Sequence, residues 1–118
     1  MGLTNVTMTV SNSQDSTRSR EIRFLVDSGA VYSLVPREVL LELGIRPTRV
    51  QSFSMVDATE IKREVGNAAF TFEGETDVSP VIFGEPGDEP LLGAVTLEAM
   101  GLALHPFNRE LRPMKMRI

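Results

Sequence analysis

The sequence has no cysteine, no tryptophan and a single histidine among its 118 residues. Without cysteine, disulfides, thiolate zinc sites and cysteine nucleophiles all fall away. With only His105, a Ser-His-Asp triad or a multi-histidine metal site is a poor reading. Six Phe and one Tyr are the only aromatics, so the expected core is aliphatic. No apolar run approaches a membrane span. The stretch from Met1 to Val10 lacks the basic start and apolar run of a signal peptide. Gly2 lacks the downstream Ser or Thr of a myristoylation site, because Val6 stands there. The Asn5-Val6-Thr7 sequon is then expected to be idle. These absences lead to the expectation of a soluble, cytoplasmic protein with no membrane partner.

What is present suits one folded domain spanning 1–118. Apolar residues make up 42% and charged residues 24%, which excludes a disordered chain. Twelve Lys and Arg against sixteen Asp and Glu leave a net charge of −4, which argues against a nucleic-acid partner.

Val6, Met8 and Val10 alternate with polar residues, as in a half-buried strand. A polar connection, 11–17, leads to a second strand from about Glu21 into Phe24-Leu25-Val26, and the two form a hairpin. The chain then stays extended through Val31 to Val35. Pro36 at a first helical position opens a short helix with Val39, Leu40 and Leu43 in its stripe and Gly44 as its stop. Strands are expected at Val50–Met55 and Ile61–Val65 around a polar tip, then over Phe70–Phe72 and at Val81–Phe83. A second short helix, Val95 to Met100, closes at Gly101, and Met114, Met116 and Ile118 alternate in a final strand. Leu40 to Ile45 echoes Leu97 to Leu102: each is a helix ending at Gly before an apolar residue. The chain therefore reads as two similar halves.

The chemistry concentrates in Phe24-Leu25-Val26-Asp27-Ser28-Gly29-Ala30. Asp-Ser-Gly alone is an ordinary surface turn, since Asp and Ser bond local amides and Gly accepts positive φ. Here a buried strand leads into it and apolar residues follow. A carboxylate so placed is partly desolvated, which is costly unless it is hydrogen-bonded or functional.

With Ser33-Leu34-Val35-Pro36 and a helix after it, this segment resembles the active-site segment of retropepsin-like aspartic proteases. Pro90-Leu91-Leu92-Gly93 before the second helix resembles their second signature. Gly2-Leu3-Thr4, Val81 to Glu85 and Leu111-Arg112-Pro113 extend the similarity to small bacterial and archaeal members, over nearly the whole chain. The resemblance implies a mainly β chain, a closed barrel with one or two short helices. It also implies an aspartic endopeptidase without cofactor or metal, acting on peptide or protein substrates.

Aspartic proteases use two carboxylates sharing one proton. This chain has one Asp-Ser-Gly, so the resemblance implies a homodimer with Asp27 from each subunit at the two-fold axis. Ser28 would brace the partner's loop, and the Gly29 N–H would bond the carboxylate. Ala30 would stay small beside the substrate backbone. Met55, Val56, Asp57 and Ala58, with Thr59 and Glu60, correspond to the flap that closes over substrate. Val31, Leu92 and Val56 are expected as walls of apolar side-chain pockets. Two departures stand out: Ser28 replaces Thr but keeps the hydroxyl, and Ala58 occupies a tip where Gly is common and resists positive φ.

Other features have plainer readings. His105 is expected to be structural. Arg109, Arg112, Lys115 and Arg117 fit a solvated strand face, with terminal strands pairing across the dimer, better than an anion site. Glu85, Asp88 and Glu89 suit a cation in principle but read as a solvated loop. The competing function is a non-catalytic dimerisation or peptide-binding module on the same fold; a carboxylate-only metal hydrolase is a weaker third.

Overall fold

Alternation shapes the first hairpin. Strand β1 (Asn5–Asn12) turns Met8 and Val10 into the core, and β2 (Asp15–Val26) pairs with it antiparallel, Met8 opposite Ile22 and Val6 opposite Phe24. The structure, a computed structural model, describes residues 3–105 and 107–114. The remaining elements are β3 (Ser33–Pro36), α1 (Arg37–Glu42), β4 (Arg49–Ser54), β5 (Glu60–Phe72), β6 (Glu75–Gly84), β7 (Leu91–Leu92), α2 (Ala94–Ala99), β8 (Leu102–His105) and β9 (Glu110–Pro113).

Seven strands form one sheet in the order β1-β2-β7-β3-β6-β5-β4, and β5 also pairs with β1. All but β4 thus join a closed ring, the barrel expected from the sequence; β4 hangs on the outside of β5 as the arm of a hairpin. Pairings β2–β7 and β3–β6 are parallel and β3–β7 is antiparallel, so the short β7 sits between the end of β2 and β3. Closure leaves few open edges, the usual hazard of a sheet protein. Strands β8 and β9 form a separate hairpin.

The core runs through Met8, Val10, Phe24, Val35, Leu40, Phe70, Val81, Phe83 and Leu92. It is less purely aliphatic than the composition suggested, because Phe24, Phe70 and Phe83 are its largest buried side chains. Phe24 and Phe70 meet at 5.9 Å between ring centroids and join the first hairpin to β5. Burying one such ring is worth about 1.5–3 kcal/mol.

The echoed helices end alike. In α1, Gly44 at φ 78° lets its N–H bond Leu41 O and the Ile45 N–H bond Leu40 O, a Schellman closure with Ile45 packed into the core. In α2, Gly101 at φ 65° donates to Glu98 O in the same way. Pro36 closes β3 and caps α1 instead of opening it, its ψ of 136° being extended.

Several boundaries differ from the sequence expectations. The first hairpin is longer: β1 and β2 consume most of the polar 11–17 segment, leaving a tight turn at Ser13-Gln14. The strands expected at 61–65 and 70–72 are one strand, β5. Gly66 is not a break in it: a Cβ there would sit 2.9 Å from Arg46 O and 3.0 Å from the Phe83 ring, so the sheet needs its bareness. Likewise β6 passes through Pro80, which pairs with Asn67 one residue before β3 joins the other side at Val81. Glu73 and Gly74, both at positive φ, form the tight turn between β5 and β6. The final alternating strand of Met116 and Ile118 lies outside the described residues.

Candidate active site

Four backbone hydrogen bonds hold the loop that leaves β2. The Asp27 N–H donates to Leu92 O at 2.9 Å, and the Ala30 N–H turns back to Asp27 O at 3.1 Å. The first amides of α2 then donate into the loop: Ala94 to Ala30 O at 2.8 Å and Val95 to Val31 O at 3.0 Å. Between them Gly93 packs flat on the chain, since a Cβ there would lie 2.6 Å from both Tyr32 C and O. This is the physical content of the Leu91-Leu92-Gly93 segment: a carbonyl, a gap and two amides that fix the Asp27 loop.

On that loop Asp27 is half-buried, less enclosed than an acid leaving a wholly buried strand, because Leu25 and Val26 are themselves half-buried. The Gly29 N–H donates to Asp27 Oδ1 at 3.0 Å, as expected, and a side chain at Gly29 would crowd that oxygen at 3.2 Å. Ser28 is exposed, and among the described residues its hydroxyl has no partner within the chain. Ala30 is half-buried and Val31 is 60% exposed. Leu92, expected as a pocket wall, is 0% exposed. Its side chain belongs to the barrel core, opposite Val26 in the parallel register, and it serves the site through its carbonyl.

Beneath the loop lies a chain of buried hydroxyls that the motifs did not reveal. Ser33, Ser79 and Thr96 are all buried. Ser79 Oγ donates to Pro80 O at 3.2 Å. Each hydroxyl has one proton, so Thr96 Oγ1 donates to Ser79 Oγ at 2.8 Å and Ser33 Oγ to Thr96 Oγ1 at 2.5 Å. Ser33 Oγ in turn accepts the Gly93 N–H at 2.9 Å. The relay ties β3, β6 and α2 together directly behind the Asp27 loop. Its one sequence signal was Ser33 on the same face of β3 as the buried Val35.

The segment expected as a flap closes the β4–β5 hairpin. The Met55 N–H donates to Thr59 O at 2.7 Å and the Ala58 N–H to Met55 O at 3.0 Å. Asp57 Oδ1 accepts both the Thr59 hydroxyl (2.6 Å) and its N–H (3.0 Å), which holds the Asp57 carboxyl below its ordinary value. Ala58 takes φ 71°, the left-handed conformation that alanine was expected to resist. The turn demands it there, at a steric cost of about 1–2 kcal/mol. Met55 is exposed and Val56 wholly so, at 109%. Strand β4 meets the Asp27 side through Tyr32, whose ring packs edge-on against Phe53 at 5.9 Å.

Outside this region, His105 Nδ1 accepts the Asn108 N–H within the β8–β9 turn, a structural role. Asp88 Oδ2 accepts the Glu85 N–H, so the acidic loop caps its own turn.

The candidate site is thus a half-buried acid on a braced loop that leaves a strand of the closed barrel. A family model described as aspartyl protease matches residues 6–95, and the chain belongs to that family, the peptide-bond hydrolases of the aspartic class. No curated protein matches the chain. Among solved structures, the solution structure of Simian Foamy Virus (mac) protease is similar in fold, with a TM-score of 0.53 and 19% identity, covering 79% of this chain and 92% of that one.

Proposed function

We propose that the protein is a homodimeric aspartic endopeptidase whose catalytic dyad is Asp27 from each of two subunits. The observation that carries this reading is the loop itself: rigidly held from behind, it offers only one carboxylate, with Gly29 on Oδ1. The chemistry needs a second acid. A second copy brought up by a two-fold axis supplies it, and the exposed Ser28 hydroxyl gains a partner across that axis.

In the dyad, one carboxylate takes a proton from water as the water oxygen bonds to the peptide carbonyl carbon. The other, protonated, gives its proton to the carbonyl oxygen. Collapse of the tetrahedral intermediate breaks the C–N bond: the first carboxylic acid returns to the leaving nitrogen the proton it took from water, and a hydroxyl of the intermediate gives its proton to the second carboxylate, which restores the dyad. Like charges at this range share one proton, so the pair acts as a unit. The flap tip, Met55 to Ala58, closes over the peptide and excludes water. Val31, Met55 and Val56 supply its exposed apolar contacts. A non-catalytic peptide-binding module is the rival reading; the expected resistance of Ala58 to positive φ does not favour it, because Ala58 takes the left-handed turn conformation.

Cleavage of a peptide mixture, followed against protein concentration alongside sedimentation, tests the proposal. The rate should rise faster than linearly until the dimer saturates. Asp27→Asn should sediment as the wild type and cleave nothing. A monomer active in simple proportion to its concentration would overturn the reading.

A further inference from the structure

The flap hairpin has two chemically different faces. In the β4–β5 register Arg49 lies opposite Val65, Gln51 opposite Arg63 and Phe53 opposite Ile61, and directly opposed residues share a face. This face turns towards the Asp27 side: Phe53 packs on Tyr32, and Val65 is fully buried in the barrel. It carries two guanidinium groups, Arg49 and Arg63, and no carboxylate. The opposite face is mixed, with Glu60, Lys62 and Glu64, and Arg37 neutralises Glu64 in an ion pair.

Arg49 is also held in place. Its guanidinium lies 5.9 Å from the Tyr32 ring centroid, its Nη2 donates to Tyr32 Oη at 3.2 Å, and its Nε donates to Gln51 Oε1 at 3.2 Å. Tyr32 follows directly on Val31 of the loop that presents Asp27. Among the described residues, neither Arg49 nor Arg63 forms an ion pair. The arrangement is a fixed cation beside the residue that follows Val31 of the Asp27 loop, with Arg63 diagonal to it on the same face of the hairpin.

We infer that Arg49, supported by Arg63, is a specificity-determining residue that selects an acidic side chain in the substrate, a few residues from the scissile bond. The inference rests on the endopeptidase reading above. The ring and amide that hold Arg49 leave donor N–H groups on its fork uncommitted, and a carboxylate satisfies them in a charge-assisted pair. The two-fold axis repeats this site, so one such position lies on each side of the scissile bond, and acids between the two meet neither Arg49. Near the flap tip they approach Asp57, which remains ionised because Thr59 bonds it.

The test uses the whole protein and a proteome-derived peptide mixture, with cleavage sites read by mass spectrometry. Wild type should favour Asp or Glu over Gln or Asn by about tenfold in kcat/KM at the two symmetry-related subsites, the discrimination of one charge-assisted bond at each. Arg49→Gln should collapse that ratio towards unity, Arg49→Lys should keep part of it, and Arg49→Glu should shift it towards Lys and Arg. If Arg49 only braces Tyr32, Arg49→Gln slows acidic and neutral peptides equally and the ratio is unmoved, which overturns the inference but leaves the endopeptidase reading standing. Wild-type cleavage with no acidic preference does the same. No cleavage at any acid or neutral pH, in a dimer confirmed by sedimentation, overturns both.

Discussion

Replacing Thr96 by Val tests whether the buried hydroxyl relay supports the Asp27 loop. The two side chains are nearly the same shape, so the change removes one hydroxyl and opens no cavity. Thr96 Oγ1 sits 2.5 Å from Ser33 Oγ and 2.8 Å from Ser79 Oγ. Ser79 keeps Pro80 O for its proton, but Ser33 loses the acceptor for its own in a fully buried setting. An orphaned buried donor costs about 1–3 kcal/mol, so Thr96→Val should destabilise by about 2 kcal/mol. Denaturant unfolding at fixed protein concentration should show a lower midpoint with an unchanged slope. Because Ser33 also receives the Gly93 N–H, turnover should fall along with stability. Ser33→Ala combined with Thr96→Val should cost less than the sum of the two, since they break one chain of bonds. A midpoint shift below about 0.5 kcal/mol, the level of an idle surface change, would refute the reasoning.

Gly93→Ala should be severe: the new Cβ meets backbone 2.6 Å away at Tyr32, and overpacking of this kind costs about 1–3 kcal/mol, so both the unfolding midpoint and peptidase activity should drop. Ala58→Gly should relieve left-handed strain and stabilise by about 0.5–1 kcal/mol, with turnover unchanged or raised, whereas the β-branched Ala58→Val should lower both. Asp57 is held below its ordinary value of 3.8 first by the Thr59 hydroxyl and then by its amide. Its contribution to the flap turn is therefore complete above 3.8 and is lost only as pH falls through the lower folded value. An NMR titration following the Thr59 amide should show a midpoint below 3.8, and a midpoint at or above it would contradict the turn geometry.

Local features of the site were legible because they are written in consecutive residues. Asp27-Ser28-Gly29 with its apolar approach, and the two helix ends at Gly44 and Gly101, carry their own turn chemistry. Strand continuity was harder to read. Gly66 and Pro80 look like breaks in one dimension, yet each sits where the neighbouring strand demands or permits it. The role of Leu92 was misjudged because a motif gives a residue's identity and not which of its groups faces the site; here the carbonyl does and the side chain does not. The hydroxyl relay was hidden for a different reason: Ser33 and Thr96 are 63 positions apart, and no local pattern joins them. The stacking of Arg49 on Tyr32 depends in the same way on the barrel bringing the hairpin arm back to the loop.

Mixing wild-type protein with Asp27→Asn tests the shared dyad most directly. Equal amounts are allowed to exchange subunits at a concentration where both are dimers, and peptidase activity is compared with that of wild type alone at the same total protein. If each site needs Asp27 from both subunits, only wild-type pairs work, and random pairing leaves about a quarter of the activity. Activity of about one half would mean that each chain works with its own Asp27 alone, contradicting the dimeric dyad.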